Sequence, residues 1–242
     1  MWNDEIPNGA TSSSKAHSKG VMGYASDGGF LLRHSTPRFP PHQSSGYSGL
    51  PDNERIYGQT FLCASVSLSE LNHVAGQYLV MDAQIYDYKT PSYGAGYANL
   101  SAFASSSWVH NLDPQTITYR TRGGASFWDI AKSKACDCDM WNRVSEHYKQ
   151  TMNVLSWGRP LEPSTCGRYS VQNVLHLSWG DVDYKETEEH SKWGVTQDSK
   201  TVCIGDINRM TSQRKRGGGA SCISNPTIAS AFSKLITDVA SC

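Results

Sequence analysis

The sequence predicts an α/β fold with mixed sheets, in one domain over residues 1–242. Short segments in which apolar and polar side chains alternate are typical of strands, and they recur along the whole chain. Segments with an apolar residue at every third or fourth position are typical of helices, and three are recognised. The length is sufficient to bury a large core. No run of about 18 apolar residues is present, so we expect no membrane span.

Six segments are predicted as strands. The first two flank a Ser-Asp-Gly-Gly turn and should pair as a hairpin. His17 and Lys19 would then lie at the start of the first strand, and His34 at the end of the second. The predicted strands are residues 19–25, 30–34, 59–66, 116–121, 171–179 and 201–207.

Three helices are predicted, each from a residue able to cap its first turn. Ser69 begins the first, and Ser126 begins a long helix over residues 126–148. Asn225, followed by proline, begins the last, whose apolar stripe extends to residue 239.

Two polar stretches are predicted to lie outside the regular elements. Residues 1–16 are polar and end in a serine-rich run, so we expect a mobile arm. Residues 36–56 are rich in Pro, Ser and Gly and should form a long loop. This loop could line a binding cleft, but a rigid surface loop is the commoner case.

The charge balance is compatible with function in an acidic compartment. The formal net charge is zero, from 22 basic and 22 acidic residues, whereas nucleic-acid binders at neutral pH usually have a basic excess. Near pH 5 most of the eight histidines would be protonated, and the chain would attract phosphates. The composition is equally compatible with an ordinary neutral protein. Seven cysteines indicate an oxidising compartment.

Two tripeptides carry the same pattern: His17-Ser18-Lys19 and His190-Ser191-Lys192. Side chains two residues apart on a strand share a face, so each pair sets an imidazole beside a cation. Two such pairs supply what phosphoryl transfer without metal requires: a nucleophile, a general acid and two cations on the phosphate oxygens. A three-residue match can recur by chance in a chain with eight histidines. The tripeptides therefore indicate catalysis only together with the motifs that surround them.

The neighbouring motifs carry a resemblance to a known family. They are DGGF at 27–30, HSTPRFPP at 34–41, YGQTFLC at 57–63, WGV at 193–195, VCIGDINR at 202–209 and RGGG at 216–219. At these residues the chain resembles the deoxyribonuclease II family, and the likeness extends to Cys242. It implies a phospholipase D-like fold of two similar halves, 1–110 and 111–242, each supplying one His-x-Lys pair to a shared cleft.

The resemblance implies an endonuclease that cuts DNA at acidic pH without metal or other cofactor. The resemblance implies products with 3′-phosphates. Our own hypothesis from the two pairs is a reaction through a phosphohistidine, with His17 as nucleophile and His190 as general acid. Its implied location is lysosomal or secreted, and its implied state a monomer or homodimer. The implied catalytic residues are His17, Lys19, His190, Lys192 and His34, and the implied substrate contacts are Asn208 and Arg216. The wider superfamily has an Asp five residues after each Lys; here Tyr24 and Gln197 stand there.

The resemblance also implies two disulfides, Cys203 with Cys222 and Cys166 with Cys242, the second holding the final helix. Cys63 matches a family cysteine whose partner has no counterpart here. Cys136 and Cys138 are additional; we favour free thiols or an irregular disulfide over a zinc site, because no second clustered pair accompanies them. Asn99-Leu100-Ser101 is a glycosylation sequon, used only in a secreted protein.

The family has a signal peptide and several strands before its first His-x-Lys pair, whereas His17 comes early here. We therefore expect that the N-terminal portion of the family is absent, that the first strand has an unpaired edge, and that stability and activity are low.

Three other functions are compatible with parts of the sequence. A family member could bind DNA without cutting it, or a phospholipase-type phosphodiesterase could use the same fold. The acidic residues between 181 and 189 could serve a metal-dependent nuclease. We disfavour a metal, since these residues crowd one predicted loop and Lys19 and Lys192 would compete with a cation.

Overall fold

The structure, a computed structural model, describes residues 1–89, 96–110 and 113–242. Its strands are β1 (Gly20–Ala25), β2 (Gly28–His34), β3 (Phe61–Val66), β4 (Gln115–Arg120), β5 (Ser126–Lys132), β6 (Met152–Leu155), β7 (Val171–Trp179), β8 (Val182–Lys185), β9 (Trp193–Thr196), β10 (Thr201–Gly205), β11 (Gly218–Ser224) and β12 (Ile236–Val239). Its α-helices are α1 (Leu68–Met81), α2 (Ala98–Ala104), α3 (Met140–Tyr148), α4 (Thr211–Arg214) and α5 (Pro226–Ser233). The predicted mixed α/β class is therefore confirmed.

The described strands form two sheets. The smaller has the order β1-β2-β3 and is antiparallel throughout. The larger has nine strands in the order β12-β7-β6-β9-β10-β11-β5-β4, with β8 paired to β7. Only β6 and β7 pair in parallel within it. Helix α1 contacts β2 of the small sheet and both β4 and β5 of the large one, so it joins the two sheets.

The predicted hairpin and first helix are present. In the hairpin, Gly20 pairs with Arg33 and Ala25 with Gly28, which leaves a tight turn between β1 and β2. The cap of α1 is Ser67, whose side chain accepts a hydrogen bond from the Glu70 amide at 3.2 Å. The helix thus starts at Leu68, before the predicted Ser69, because Ser67 has the extended backbone that a cap requires.

The long helix predicted over residues 126–148 is wrong. Residues 126–132 form β5, which pairs with β4 on one side and β11 on the other. The sequence of this segment does not alternate between apolar and polar residues, because the strand is buried on both faces. Even Asp129 and Lys132 are buried. Only its last part, α3, is helical, and there Asp139 caps the first turn by accepting from the Trp141 amide at 2.9 Å.

The last predicted helix is too long. Asn225 caps α5 as expected, accepting from the amides of Thr227 and Ile228. The helix ends at Ser233, and the remaining apolar residues form β12 on the edge of β7. This segment contains β-branched residues, which are favoured in strands. As a strand it also forms backbone hydrogen bonds with β7, which it could not form as a helix.

The first 16 residues are not a mobile arm. Trp2, Asn3 and Asp4 are buried. Trp2 exchanges two backbone hydrogen bonds of 3.0 Å with Gly20, and its indole donates to Ser18 Oγ at 3.0 Å. The start of β1 therefore has a backbone partner where an unpaired edge was expected.

The two implied disulfides are confirmed. Cys203 and Cys222 join facing positions of β10 and β11, and Cys166 is joined to Cys242. The second bond secures the chain after β12, a strand where a helix was expected. Cys136 and Cys138 are joined to each other, and Cys63 is an exposed residue of β3 without a disulfide to any described cysteine. Over the three described ranges, no helix combines the length and apolar character needed to cross a membrane.

Candidate active site

The two tripeptides occupy equivalent places, each directly before a strand. Lys19 precedes β1, and Lys192 precedes β9 inside the large sheet. Both are tied to the end of β10. The Gly205 amide donates to Lys192 O at 2.7 Å, and the next residue, Asp206, offers its carbonyl oxygen to His17 at 2.7 Å. Adjacent backbone groups thus bring the two predicted pairs together.

The His17 ring has a defined hydrogen-bonding direction. Nδ1 lies 2.7 Å from the Asp206 carbonyl oxygen, which can only accept, so we assign the proton to Nδ1 and the lone pair to Nε2. The backbone amide of His17 donates to Gly217 O at 2.9 Å. Gly217 itself packs so close to Met81 that an added Cβ would lie 1.7 Å from the Met81 carbonyl oxygen. No residue larger than glycine therefore fits at position 217, whose carbonyl oxygen accepts the hydrogen bond from the His17 amide.

The electrostatic surroundings keep His17 neutral. Burial lowers the pKa of His17 well below its ordinary value, and Lys19, Lys192 and Arg216 lower it further, while Asp4 opposes them. A neutral imidazole at acidic pH retains the lone pair that a nucleophile needs.

Asp4 is the central anion of this first pair. Its Oδ1 accepts from Lys19 Nζ at 2.5 Å, and its Oδ2 accepts from Arg216 Nη2 at 2.9 Å and lies 3.8 Å from His17 Nε2. Burial by itself would raise the pKa of Asp4, but Lys19, His17 and Arg216 hold it well below its usual range. Sequence analysis missed Asp4 because the segment around it resembled a solvated arm.

His190 is held by contacts to its ring and to its backbone. The ring stacks on Tyr57 with centroids 4.1 Å apart and planes at 9°. Its backbone amide donates to Gly58 O at 2.9 Å, and Nδ1 lies 3.0 Å from Glu54 Oε2. Gly58 packs against Glu189: an added Cβ would lie 1.5 Å from Glu189 Oε1, so a larger residue here would require the Glu189 side chain to move. Burial, together with Lys192 and Lys19, lowers the pKa of His190 to about 4.

Lys192 is a buried cation whose charge changes near neutral pH. Its Nζ donates to His190 O at 2.6 Å. Burial lowers its pKa to about 7, aided by Lys19, although Asp4, Asp206 and Glu189 oppose the shift. Lys19 acts on both His190 and Lys192, and Lys192 acts on His17, so the four predicted side chains share one electrostatic environment.

His34 is buried beside Lys19. Its backbone amide donates to Lys19 O at 3.2 Å, and its ring lies between Phe61, stacked at 5.8 Å, and Phe39, edge-on at 5.4 Å. Neither ring nitrogen has a hydrogen-bond partner among the described residues. Burial, with Lys19, lowers the pKa of His34 to about 3.

The two predicted substrate contacts differ. Asn208 is buried, and its Oδ1 has no hydrogen-bond partner in the described part of the chain. Arg216 is engaged by the protein: its guanidinium donates to Asp4, to Lys15 O at 2.9 Å and to Ser12 O at 2.8 Å. Arg216 thus fastens the first segment of the chain to the loop that supports His17.

A buried charge cluster underlies the site. Arg33 lies 3.3 Å from Asp129 Oδ2 and 3.6 Å from Asp206 Oδ2, and it donates to Tyr78 Oη at 3.2 Å. Burial raises the pKa of Asp206 to about 6, with Asp129 adding to the shift and Arg33 opposing it. The cluster fixes the residue whose carbonyl oxygen holds His17. Sequence analysis missed it because its members lie far apart along the chain, and Asp129 lay in a segment assigned to a helix.

The acidic run before His190 is dispersed. Asp181 and Asp183 are exposed in and beside β8, whereas Glu189 is buried and accepts from Ser191 Oγ and from Tyr184 Oη. Over the described ranges, no three His, Cys, Asp or Glu side chains are grouped as metal ligands.

Comparison with known proteins identifies the family. The model of the family described as Deoxyribonuclease II matches residues 1–242. Plancitoxin-1 of Acanthaster planci is 34% identical over 254 residues, which cover 100% of this chain and 70% of that protein. Deoxyribonuclease-2-alpha of Mus musculus is 30% identical over 254 residues, covering 100% and 72%. Cell-death-related nuclease 7 of Caenorhabditis elegans is 31% identical over 253 residues, covering 100% and 68%.

The family match spans the same residues that hold both His-x-Lys pairs, the RGGG loop and the two implied disulfides. The chain belongs to the deoxyribonuclease II family of DNA-hydrolysing enzymes.

Proposed function

We propose that the protein hydrolyses DNA phosphodiester bonds at acidic pH through a phosphohistidine on His17. The observation that carries the proposal is the convergence of the two His-x-Lys pairs on Gly205 and Asp206. Nε2 of His17 attacks phosphorus, and the bond from phosphorus to the 5′ oxygen breaks. His190 gives its proton to that oxygen, so the phosphate stays on the 3′ side. Water then attacks phosphorus, gives a proton to His190 and releases His17 with a 3′-phosphate product.

The contrasting environments of the histidines support these roles. His17 has its proton on Nδ1 and a strongly lowered pKa, which favours the nucleophilic form. His190 has a pKa of about 4, so its acidic form becomes abundant only as the pH falls. A bound phosphodiester anion would favour that form further. Cleavage should therefore increase from neutral to acidic pH.

The lysines take the charge role that a metal has in other nucleases. Lys19 and Lys192 are cations close to both histidines, where they would stabilise the charge that develops on the phosphate oxygens. Lys192, with a pKa of about 7, is charged at acidic pH and becomes neutral above it. This change reinforces the acidic preference.

The remaining predicted residues surround this centre. His34, a neutral ring beside Lys19, would orient or assist the first pair. Asn208 has an amide oxygen without a described partner, so its amide would orient the phosphate or a neighbouring group. Arg216 would contribute positive charge while its bonds hold Asp4.

We also propose a phospholipase D-like fold with halves 1–110 and 111–242. The small sheet lies in the first range and the large sheet in the second, and each range supplies one pair. The boundary lies between residues 110 and 111, and residues 111–112 are outside the described residues. A lysosomal or secreted location is supported by the three disulfides.

The direct test is nicking of supercoiled plasmid at about pH 5 in excess EDTA. We expect nicks with 3′-phosphate ends, which block a polymerase until a phosphatase removes them. Loss of all cleavage on chelation would contradict the mechanism. Binding without cleavage would favour the DNA-binding alternative, and cleavage of phospholipid but not DNA would favour the phospholipase alternative.

A further inference from the structure

The loop between β2 and β3 approaches the second His-x-Lys pair, although it comes from the other end of the sequence. Glu54 lies in a short 3-10 helix, Asp52–Glu54, and its side chain is only 5% exposed. Its Oε2 lies 3.0 Å from His190 Nδ1. An acidic side chain buried in a loop is uncommon unless it has partners. The Glu54 carboxyl group has His190 as its nearest partner, and it also accepts from Asn53 Nδ2 at 3.3 Å and from Gln59 Nε2 at 3.4 Å.

The contact determines which ring nitrogen is available. With Glu54 at Nδ1, Nε2 is the nitrogen left to face a substrate. Tyr57 stacks on one face of the ring, and the Gly58 carbonyl holds the backbone of His190. The three residues 54, 57 and 58 thus fix the position and the direction of the ring from one short loop segment.

We propose that Glu54 is a positioning residue for the reaction: its carboxyl group orients His190 with Nε2 toward the leaving oxygen and stabilises the imidazolium that donates the proton. The proposal rests on the proposed function, since it needs His190 as the general acid. It gives a role in the reaction to a residue outside both His-x-Lys pairs. His190, in the proposed second half, then depends on a carboxyl group from the first.

The other charges near the pair oppose the imidazolium. Lys192 and Lys19 both lower the pKa of His190. Glu54 has a raised pKa, mainly through burial and then through Glu5, while Arg38, Lys19 and Lys192 act in the opposite direction. Among the described residues, Glu54 has the carboxyl oxygen within hydrogen-bonding distance of the ring, at 3.0 Å from Nδ1, and the proposal assigns to this contact the role of offsetting the two lysines.

The test compares Glu54→Gln with Asp52→Asn, an acid-to-amide control in the same 3-10 helix whose side chain is 95% exposed. Two substrates are used: DNA, and thymidine 3′-(p-nitrophenyl phosphate), whose leaving group needs no proton. We expect Glu54→Gln to lower kcat on DNA by roughly 100-fold, the scale for a misplaced catalytic group, and to lower it much less on the nitrophenyl ester. The alkaline limb of the DNA pH profile should shift to lower pH, and Asp52→Asn should match the unaltered chain.

A second measurement does not depend on activity. Nitrogen-15 NMR of the unaltered, full chain should show His190 protonated on Nδ1, and Glu54→Gln should lower the pH at which its second nitrogen is protonated. Equal losses on both substrates with an unshifted pH profile, or a His190 proton on Nε2, would overturn the proposal. Absence of cleavage by the unaltered chain would instead contradict the proposed function, and the NMR result would still decide the role of Glu54.

Discussion

The two His-x-Lys pairs share a sequence pattern but have different partners for the same ring nitrogen. His17 Nδ1 faces the Asp206 backbone carbonyl, a neutral acceptor of fixed direction, whereas His190 Nδ1 faces the Glu54 carboxyl group. A carbonyl fixes the tautomer without favouring a charged ring strongly, while a carboxylate also stabilises the imidazolium. The difference supports our proposal that the nucleophile belongs to the first pair and the acid to the second, an order that the symmetrical tripeptides do not determine.

The anions of the two pairs also differ. Asp4 lies between Lys19 and Arg216 and neutralises cations around His17. Glu54 lies against the ring of His190, the proposed acid. The first pair is therefore a preassembled cluster of paired charges around His17, whose pKa is lowered mainly by burial, and the second contains a histidine whose charge is adjustable by pH.

The largest effect is expected from removing the histidine of each pair in turn. His17→Ala and His190→Ala should each lower DNA cleavage by about 100- to 10,000-fold, and the double variant should be scarcely worse than the worse single one. The two variants should differ on the nitrophenyl ester. His190→Ala should still break the bond to nitrophenolate, because this leaving group needs no acid, whereas His17→Ala should not. The burst of nitrophenolate measures that step. Equal bursts from both variants would show that the roles are not divided in this way.

The next effect concerns stability. Asp4→Asn leaves two buried cations without their shared anion, so the free energy of unfolding should fall by about 3–5 kcal/mol. Glu54→Gln retains a hydrogen-bonding group beside His190 and should cost only about 1 kcal/mol. Urea unfolding at neutral pH measures both. A smaller loss for Asp4→Asn than for Glu54→Gln would mean that the first pair is not the preassembled one.

A smaller effect is expected from the charge of Lys192 in the second pair, which changes with pH. Lys192 is cationic below its pKa of about 7 and neutral above it, so a catalytically inactive chain, His17→Ala, should bind DNA with a shallower salt dependence at alkaline pH. Loss of one phosphate contact lowers the slope of log K against log salt by about 0.9. The matched control adds Lys192→Met, which should remove this part of the pH dependence. An undiminished pH effect in that control would exclude Lys192 as its source.

Much of the site is predictable from the sequence because it is local. His17, Lys19, His190 and Lys192 fall within two tripeptides, and the hairpin that ends at His34 has a clear turn signal. Asp4 and Glu54 are not predictable in this way. Each lies in a stretch typical of solvated chain and acquires its role only from residues brought close by folding.

The two errors in the predicted helices have one physical origin. Residues 126–132 and 236–239 have spacings that also suit a helix, and both are strands because a neighbouring strand supplies backbone partners. Periodicity reports which faces are buried, and β5 is buried on both faces. The helix prediction succeeded at α1 and at the start of α5, where a capping side chain supplies a local signal.

The central claim is that His17 carries the covalent intermediate. His190→Ala, given thymidine 3′-(p-nitrophenyl phosphate), should form the adduct but hydrolyse it slowly, because no base remains to activate water. Quenching in alkaline denaturant preserves phosphohistidine, and mass spectrometry of the peptides locates it. The account predicts a thymidine 3′-phosphoryl group on His17. Nitrophenolate release with no adduct on His17, or an adduct on His190 in the unaltered chain, would contradict it.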